Sequence, residues 1–203
     1  FPGWHLECSA MSTKYLGKTF DIHGGGQDLK FPHHENEIAQ NHGACGCQPA
    51  HYWMHGNMLL LNGRKMSKSE GNSILPMELI AGSNPIIPES FSPMAIRFFM
   101  LQSHYRSTLD LTHDALKAAE KGLSRLRDAY GLLAKLQVNP GREDLKVNQT
   151  IQSEIDGMYE DMSNDFNTSK TIARLFELAS IINIYYNNPQ TDAGLNEESI
   201  ELL

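Results

Sequence analysis

One stretch, Lys65-Met66-Ser67-Lys68-Ser69, constrains the fold of this chain more than any other because of what flanks it. An apolar, strand-like run, Met58-Leu59-Leu60-Leu61, precedes it, and Asn62-Gly63 supplies a turn between the two. The chain then runs on into Glu70-Gly71-Asn72. The expected local structure is a strand, a tight turn and a loop that carries two ammonium groups and two hydroxyls. Such a loop can close over a triphosphate and neutralise charge as it redistributes between oxygens. A solvated basic surface loop is the bland alternative. A complete pentad in a strand–turn context is far rarer than a pair of lysines, which favours the functional reading.

The first forty residues add a second kind of chemistry. Phe20-Asp21-Ile22-His23 reads as a short strand ending in Gly24-Gly25-Gly26, with Asp28-Leu29 next and then Phe31-Pro32-His33-His34-Glu35-Asn36-Glu37-Ile38-Ala39. Pro32 suits a first helical turn, where its missing N–H is not needed. No helix breaker follows until Gly43. On such a helix His33 and Glu37, four apart, project from one face. His34 and Glu37, three apart, can do the same, and spacing alone does not choose between them. Cys8, an imidazole and a carboxylate are plausible donors to zinc, which accepts S, N and O ligands. Taken singly, a cysteine is more often a small buried hydrophobe, and a His/Glu pair on a polar helix is usually solvated.

Four blocks carry a resemblance. They are Trp4-His5-Leu6-Glu7-Cys8-Ser9-Ala10-Met11, Asp21-Ile22-His23-Gly24-Gly25-Gly26-Gln27-Asp28-Leu29, Phe31-Pro32-His33-His34-Glu35-Asn36-Glu37 and the Lys65–Ser69 pentad. In order and spacing they resemble the cysteinyl-tRNA synthetases, and the pentad is similar to the second signature of the class I aminoacyl-tRNA synthetases. The resemblance is dense over residues 1–112 and looser beyond. It implies an α/β fold: the second half of a class I, Rossmann-like nucleotide-binding domain over 1–112, then an all-α helical bundle over 113–203. That bundle resembles the one that follows the catalytic domain in cysteinyl- and arginyl-tRNA synthetases and supports tRNA.

The resemblance also implies roles. Cys8, His33 and Glu37 match three of four ligands of a catalytic-domain zinc, with His33 preferred over His34. Trp4 and His23 match residues that shape the amino-acid pocket. Gly24, Gly25, Gly26 and Asp28, with His23, match the adenylate site, where absent side chains let a nucleotide approach the backbone. Lys68 matches an ATP-contacting lysine, and Lys65 and Lys68 together would stabilise the departing pyrophosphate. The implied substrates are cysteine, ATP and tRNA(Cys), with Zn2+ as cofactor, in a cytoplasmic enzyme expected to be a monomer. Zinc suits the discrimination required. Cysteine and serine differ by one atom, which a shape-based pocket reads at only about 1–3 kcal/mol. A metal instead bonds a thiolate, with which a hydroxyl cannot compete at neutral pH.

Two departures from the pattern are visible. The family's fourth zinc ligand is a cysteine far upstream, and the His-x-Gly-His signature is absent, since neither His42-Gly43 nor His55-Gly56 completes it. The expected explanation is a fragment that is inactive by itself. Composition agrees with an intracellular globular chain: 203 residues, 40% hydrophobic, with no apolar run near the ~20 residues that span a bilayer. Three cysteines make no disulfide framework, so Cys45 and Cys47 are expected as thiols outside the zinc site. A net charge of −7 argues against a surface that coats nucleic acid generally, although tRNA needs only a local basic stripe.

Beyond the pentad, Pro76–Ala81 reads as a short helix and Gly82 to Pro93 as a connector. Met94–Ser103 reads as an apolar helix. His104-Tyr105-Arg106-Ser107 is either a surface turn or a tRNA contact. Leu116, Ala119, Leu123, Leu126, Tyr130 and Leu133 form a helical stripe, stopped by Asn139-Pro140-Gly141. Ile151, Ile155, Met158 and Met162 form a second. Asp165 to Thr168 offers N-caps for a third, through Ile172, Leu175, Phe176, Ala179 and Ile182 to a stop at Asn187-Asn188-Pro189. A last helix begins at Glu197. Two other functions fit the same motifs: a paralogous ligase that delivers cysteine to an amino-sugar, and a non-catalytic zinc or RNA-binding module. A binding module has no use for a pyrophosphate loop.

Overall fold

A computed structural model describes residues 3–67, 69, 71–138, 145–188 and 195–203. The chain divides into two compact units, Phe1–Leu60 with Tyr105–Leu109 and Leu61–His104 with Asp110–Leu203.

The first unit is built on one crossover. Helix α1 (Trp4–Leu16) leads into strand β1 (Phe20–Gly26), helix α2 (Glu35–Cys45) and strand β2 (Ala50–Gly56). The strands pair in parallel, from Phe20 opposite Ala50 to Gly26 opposite Gly56. Parallel neighbours need a long connection, and α2 provides it. The glycine run does not end β1, because Gly24, Gly25 and Gly26 stay in register with Met54, His55 and Gly56. Helix α1 meets α2 largely through polar side chains: Ser9 Oγ donates to Gln40 Oε1 (2.7 Å) and Thr13 Oγ1 to Asn41 Oδ1 (3.3 Å).

Two expectations for α2 are corrected. Regular helix begins at Glu35, not at Pro32. Residues Lys30–His34 form a wider π-type turn in which Phe31 is extended (φ −136°, ψ 133°), as a residue before proline prefers. At the other end Gly43 does not stop the helix. It runs to Cys45 and terminates on Gly46 in the left-handed region (φ 69°), whose N–H donates to His42 O at 2.9 Å. Cys45 and Cys47, expected as thiols, are joined by a disulfide: the reversal at Gly46 sets their Cα atoms 5.3 Å apart.

Strands β3 (Leu59–Leu61), β4 (Arg64–Lys65) and β5 (Leu109–Leu111) form a small sheet with β3 in the centre. Asn62 (φ 51°) and Gly63 (φ 75°) both take positive φ, the tight hairpin turn that Asn-Gly favours. The helices of the second unit are α3 (Pro76–Ala81), α4 (Pro93–Leu101), α5 (His113–Leu133), α6 (Leu145–Ser163), α7 (Thr168–Asn187) and α8 (Glu197–Leu202). Caps define their starts. Ser92, Thr112, Asn167 and Asn196 accept from the backbone N–H of Ala95, Ala115, Lys170 and Ser199 respectively.

The apolar stripes hold with three changes. Ala129 is buried and Tyr130 is 77% exposed, because the buried face of α5 continues from Leu116 and Ala119 through Gly122. Met162 and Leu175 also face outward. An ionic contact also joins α6 to α7, Arg174 to Asp161 at 2.7 Å and to Glu154 at 3.2 Å. Ile151, Leu178 and Leu195 form one core cluster, and Ala129, Ala179 and Ile182 another. The expected stops at Asn139-Pro140-Gly141 and Pro189 lie outside the described residues. Among the described residues no helix is long and apolar enough to cross a membrane.

Candidate functional site

Helix α2 starts shortly after the C-terminal end of β1, so its first turn stands over the strand pair, where α/β folds commonly bind ligands. Glu37 is the centre of the arrangement. It is 1% exposed, with Oε1 3.0 Å from His33 Nε2 and Oε2 3.4 Å from His23 Nε2. Yet neither carboxylate oxygen receives a hydrogen bond. A buried carboxylate in that condition is unfavourable unless a further electrophile completes it.

The neighbouring donors fit a metal ion. Cys8 Sγ, a ring nitrogen of His33 and a Glu37 oxygen lie within 4.8 Å of one another, and so do donors of His23, His34 and Glu37. Tetrahedral zinc holds its ligand atoms about 3.3–3.8 Å apart, given bonds of about 2.0–2.3 Å. Side-chain rotation can close the remaining distance. Sulfur, nitrogen and oxygen donors together are the set zinc accepts.

Electrostatics points the same way. Burial pushes the Glu37 carboxyl up to about 7. Burial, then the rings of His23, His55 and His33, pulls His34 down to about 4. His23 is lowered by burial and by His33 and His55, while burial and the nearby Glu37 and Glu7 raise Cys8. The surroundings thus disfavour the Glu37 carboxylate, the Cys8 thiolate and the charged forms of His23 and His34. A divalent cation would stabilise the carboxylate and thiolate and leave neutral imidazoles as donors.

The ambiguity between His33 and His34 meets a geometric difference. His33 is grouped with Cys8 and Glu37, and His34 with His23 and Glu37, with His34 Nδ1 also 2.8 Å from His55 Nε2. Trp4 is largely exposed, its ring 4.6 Å from that of His33. His23 packs edge-on against His34 and Trp53, at 4.7 Å from each. His34 was the alternative left open beside His33, and His55 and Trp53 are members of this cluster that sequence reasoning missed. The available signal was strand alternation: Trp53 and His55 are two apart on β2, in register with His23 and Gly25. Of the three glycines, Gly25 lacks a side chain for a local reason, because a Cβ would stand 2.7 Å from the His34 ring. A Cβ on Gly26 would run into the Asp28 carboxylate. Gly24 has open space, its nearest neighbour being Met54 O at 3.9 Å, and leaves backbone accessible.

The lysine loop belongs to the second unit. Lys65 ends β4 and is exposed, and Lys68 lies outside the described residues. Asn72, also unforeseen, ties the base of the loop: its Oδ1 accepts from Ser67 N at 2.7 Å and its Nδ2 donates to Lys65 O at 2.9 Å. Ser67 and Ser69 hydroxyls share a 2.6 Å hydrogen bond, and Gly71 takes φ 64°.

Residues 1–121 match the family described as tRNA synthetases class I (C) catalytic domain, and residues 158–203 match the DALR domain. A protein of Cytophaga hutchinsonii named cysteine–tRNA ligase is 52% identical over 203 residues, covering 99% of this chain and 41% of that protein. One from Parabacteroides distasonis with the same name is 48% identical, covering 100% of this chain and 40% of its own length. One from Thermococcus onnurineus is 42% identical over 91% of this chain and 38% of its own length. The chain thus spans about two fifths of the length of these curated relatives. Among solved structures, the ternary complex of Agrobacterium radiobacter K84 LeuRS with tRNA and LeuAMS aligns with TM-score 0.64 at 18% identity, over 90% of this chain and 25% of that one. That last likeness concerns fold alone. With a catalytic-domain match over more than half of its residues and a DALR match after it, the chain belongs to the class I (C) tRNA synthetase family.

Proposed function

We propose that this protein acts as a cysteine–tRNA ligase. A carboxylate oxygen of cysteine attacks the α-phosphorus of ATP, the bond to the β-phosphate breaks, and cysteinyl-adenylate and pyrophosphate result. A hydroxyl of the terminal tRNA(Cys) adenosine then attacks the cysteinyl carbonyl and AMP leaves. The observation that carries this reading is the convergence of Cys8 and His33 on the buried Glu37 carboxylate, neither oxygen of which receives a hydrogen bond. These three residues would hold zinc, which when bound supplies a soft position that a substrate thiolate can occupy and a hydroxyl cannot.

The chain's own residues take the other roles. Trp4 and His23 border the amino acid. Gly24, Gly25 and Gly26 with Asp28 form the floor for the adenylate, Gly24 offering bare backbone. Lys65 and Lys68 stabilise charge on the departing pyrophosphate, where preorganised cations have their largest effect. Residues 1–112 are proposed as the catalytic portion and 113–203 as the tRNA-supporting bundle, in a cytoplasmic monomer. The DALR match and the names of the relatives favour tRNA over an amino-sugar as acceptor.

The test is cysteine-dependent ATP–pyrophosphate exchange by the complete protein, followed by charging of tRNA(Cys). Exchange that responds to cysteine but not serine, with charging, is expected. No cysteine-dependent exchange would sink the reading, and exchange with transfer only to an amino-sugar would replace it.

A further inference from the structure

Cys45 and Cys47 take no part in the site described above, yet the structure gives them a chemistry of their own. Their sulfurs are bonded to each other across the single residue Gly46. Cys45 is exposed and Cys47 half-buried, and the space beyond Gly46 is open. Thiol–disulfide exchange needs access of a thiolate to one of the two sulfurs, and exposed disulfides are the labile ones. The scaffold that pairs the cysteines has hydrogen bonds of its own. Gly46 stays in the left-handed region, and its N–H closes the helix on His42 O at 2.9 Å. The Cα atoms, 5.3 Å apart, are within the range that disulfides use. One turn earlier Asn41 is buried and bonded to Glu37 O at 2.9 Å and Thr13 at 3.3 Å, which anchors the helix independently.

We propose that Cys45-Gly46-Cys47 is a reversible thiol–disulfide exchange site for low-molecular-weight thiols. A thiolate RS⁻ attacks the exposed Cys45 sulfur, forming a mixed disulfide and releasing Cys47 as thiolate, which takes a proton from water. A second RS⁻ attacks the sulfur of R in that mixed disulfide, releasing RSSR and the Cys45 thiolate, which is protonated in turn. Two molecules of RSH are oxidised to RSSR as the protein pair is reduced by two electrons. The reverse reaction uses RSSR as oxidant. Because the helix terminus is held by its own hydrogen bond, the exchange leaves α2 folded.

The chain is equilibrated in buffers of reduced and oxidised glutathione, quenched with an alkylating agent and mapped by peptide mass. The peptide bearing Cys45 and Cys47 should pass from no label to two labels, with far-UV circular dichroism unchanged. The fraction reduced should rise from about one tenth to nine tenths over a roughly hundredfold change in the ratio of squared reduced to oxidised glutathione. Cys47→Ser should trap glutathione on Cys45 in the same buffers. A pair that stays oxidised at every ratio, or doubly labelled at the most oxidising one, overturns the proposal. So does a bridge to Cys8, or glutathione that remains attached in the unaltered chain without ring closure.

Discussion

Glu37→Gln is the perturbation whose consequences can be worked out furthest. Glu37 is 1% exposed, neither oxygen is hydrogen-bonded, and burial lifts its carboxyl from 4.5 to about 7. A displacement of that size corresponds to roughly 3 kcal/mol of preference for the neutral acid. The folded-state value lies above the unfolded one, so the folded chain holds this proton more tightly. Stability from this group is therefore fully present below about pH 4.5 and is lost as pH rises through about 7. Stripped of metal by a chelator, the unaltered chain should lose roughly 3 kcal/mol relative to Glu37→Gln between pH 4.5 and 8. Zinc should invert the comparison. It should stabilise the unaltered chain increasingly as pH rises, because binding requires deprotonated ligands, and bind the variant at least about tenfold more weakly. Urea unfolding at several pH values, with chelator or zinc, measures both effects. Trp4 and Trp53 are the only two tryptophans and both lie in the first unit, so their fluorescence reports on the relevant unit. Equal zinc stabilisation of both proteins, or a pH slope unchanged by the substitution, would refute the argument.

Three further outcomes are expected. Lys68→Ala in the complete protein should lower the cysteine-dependent exchange rate about 10²–10³-fold with little change in KM for cysteine; an unaltered rate would return the loop to a solvated surface feature. Asn72→Ala removes both ties at the base of that loop and should lower kcat for exchange by about 10²-fold, with unchanged KM for cysteine and unchanged Tm; a parallel loss of Tm would mean the ties only support the fold. Gly82→Ala forces a side chain onto φ 66° with its Cβ 2.7 Å from Ser90 N, so thermal unfolding should show a loss of about 1–3 kcal/mol, and no loss would mean the turn relaxes freely.

Much of the molecule was legible from local rules. Asn62-Gly63 specifies its hairpin because few residue pairs take two successive positive φ values. Pro76–Ala81 was readable as a helix from its own residues. Asn167 was among the cap candidates read ahead of α7, and its side chain makes the cap. The stripes of α5, α6 and α7 follow from periodicity because a long helix must bury one face. Local rules erred where neighbours override preference. Tyr130 fits the α5 stripe by spacing, but the buried face passes through Ala129. Gly43 lies inside α2, since a single glycine weakens a helix by only about 1 kcal/mol. Cys45 and Cys47 meet because of the conformation of Gly46, which composition does not reveal.

The site divides in the same way. Residue types and spacing offered Cys8, Glu37 and one of two histidines as donors, because donor chemistry and helical periodicity are properties of the chain itself, and the resemblance to the cysteinyl-tRNA synthetases singled out His33. The choice between His33 and His34 was not decidable from spacing, since both can share a face with Glu37. Parallel pairing of β1 with β2 brings His55 to His34 and Trp53 to His23, two contacts between residues 21 and 30 positions apart. Burial of Glu37, which moves its carboxyl from 4.5 to about 7, comes from the same packing. Sequence by itself determined which donor atoms were available and which short elements would carry them. Tertiary structure alone decided which donors converge and how strongly each is perturbed, because distance and dielectric are set by packing between elements remote in the chain.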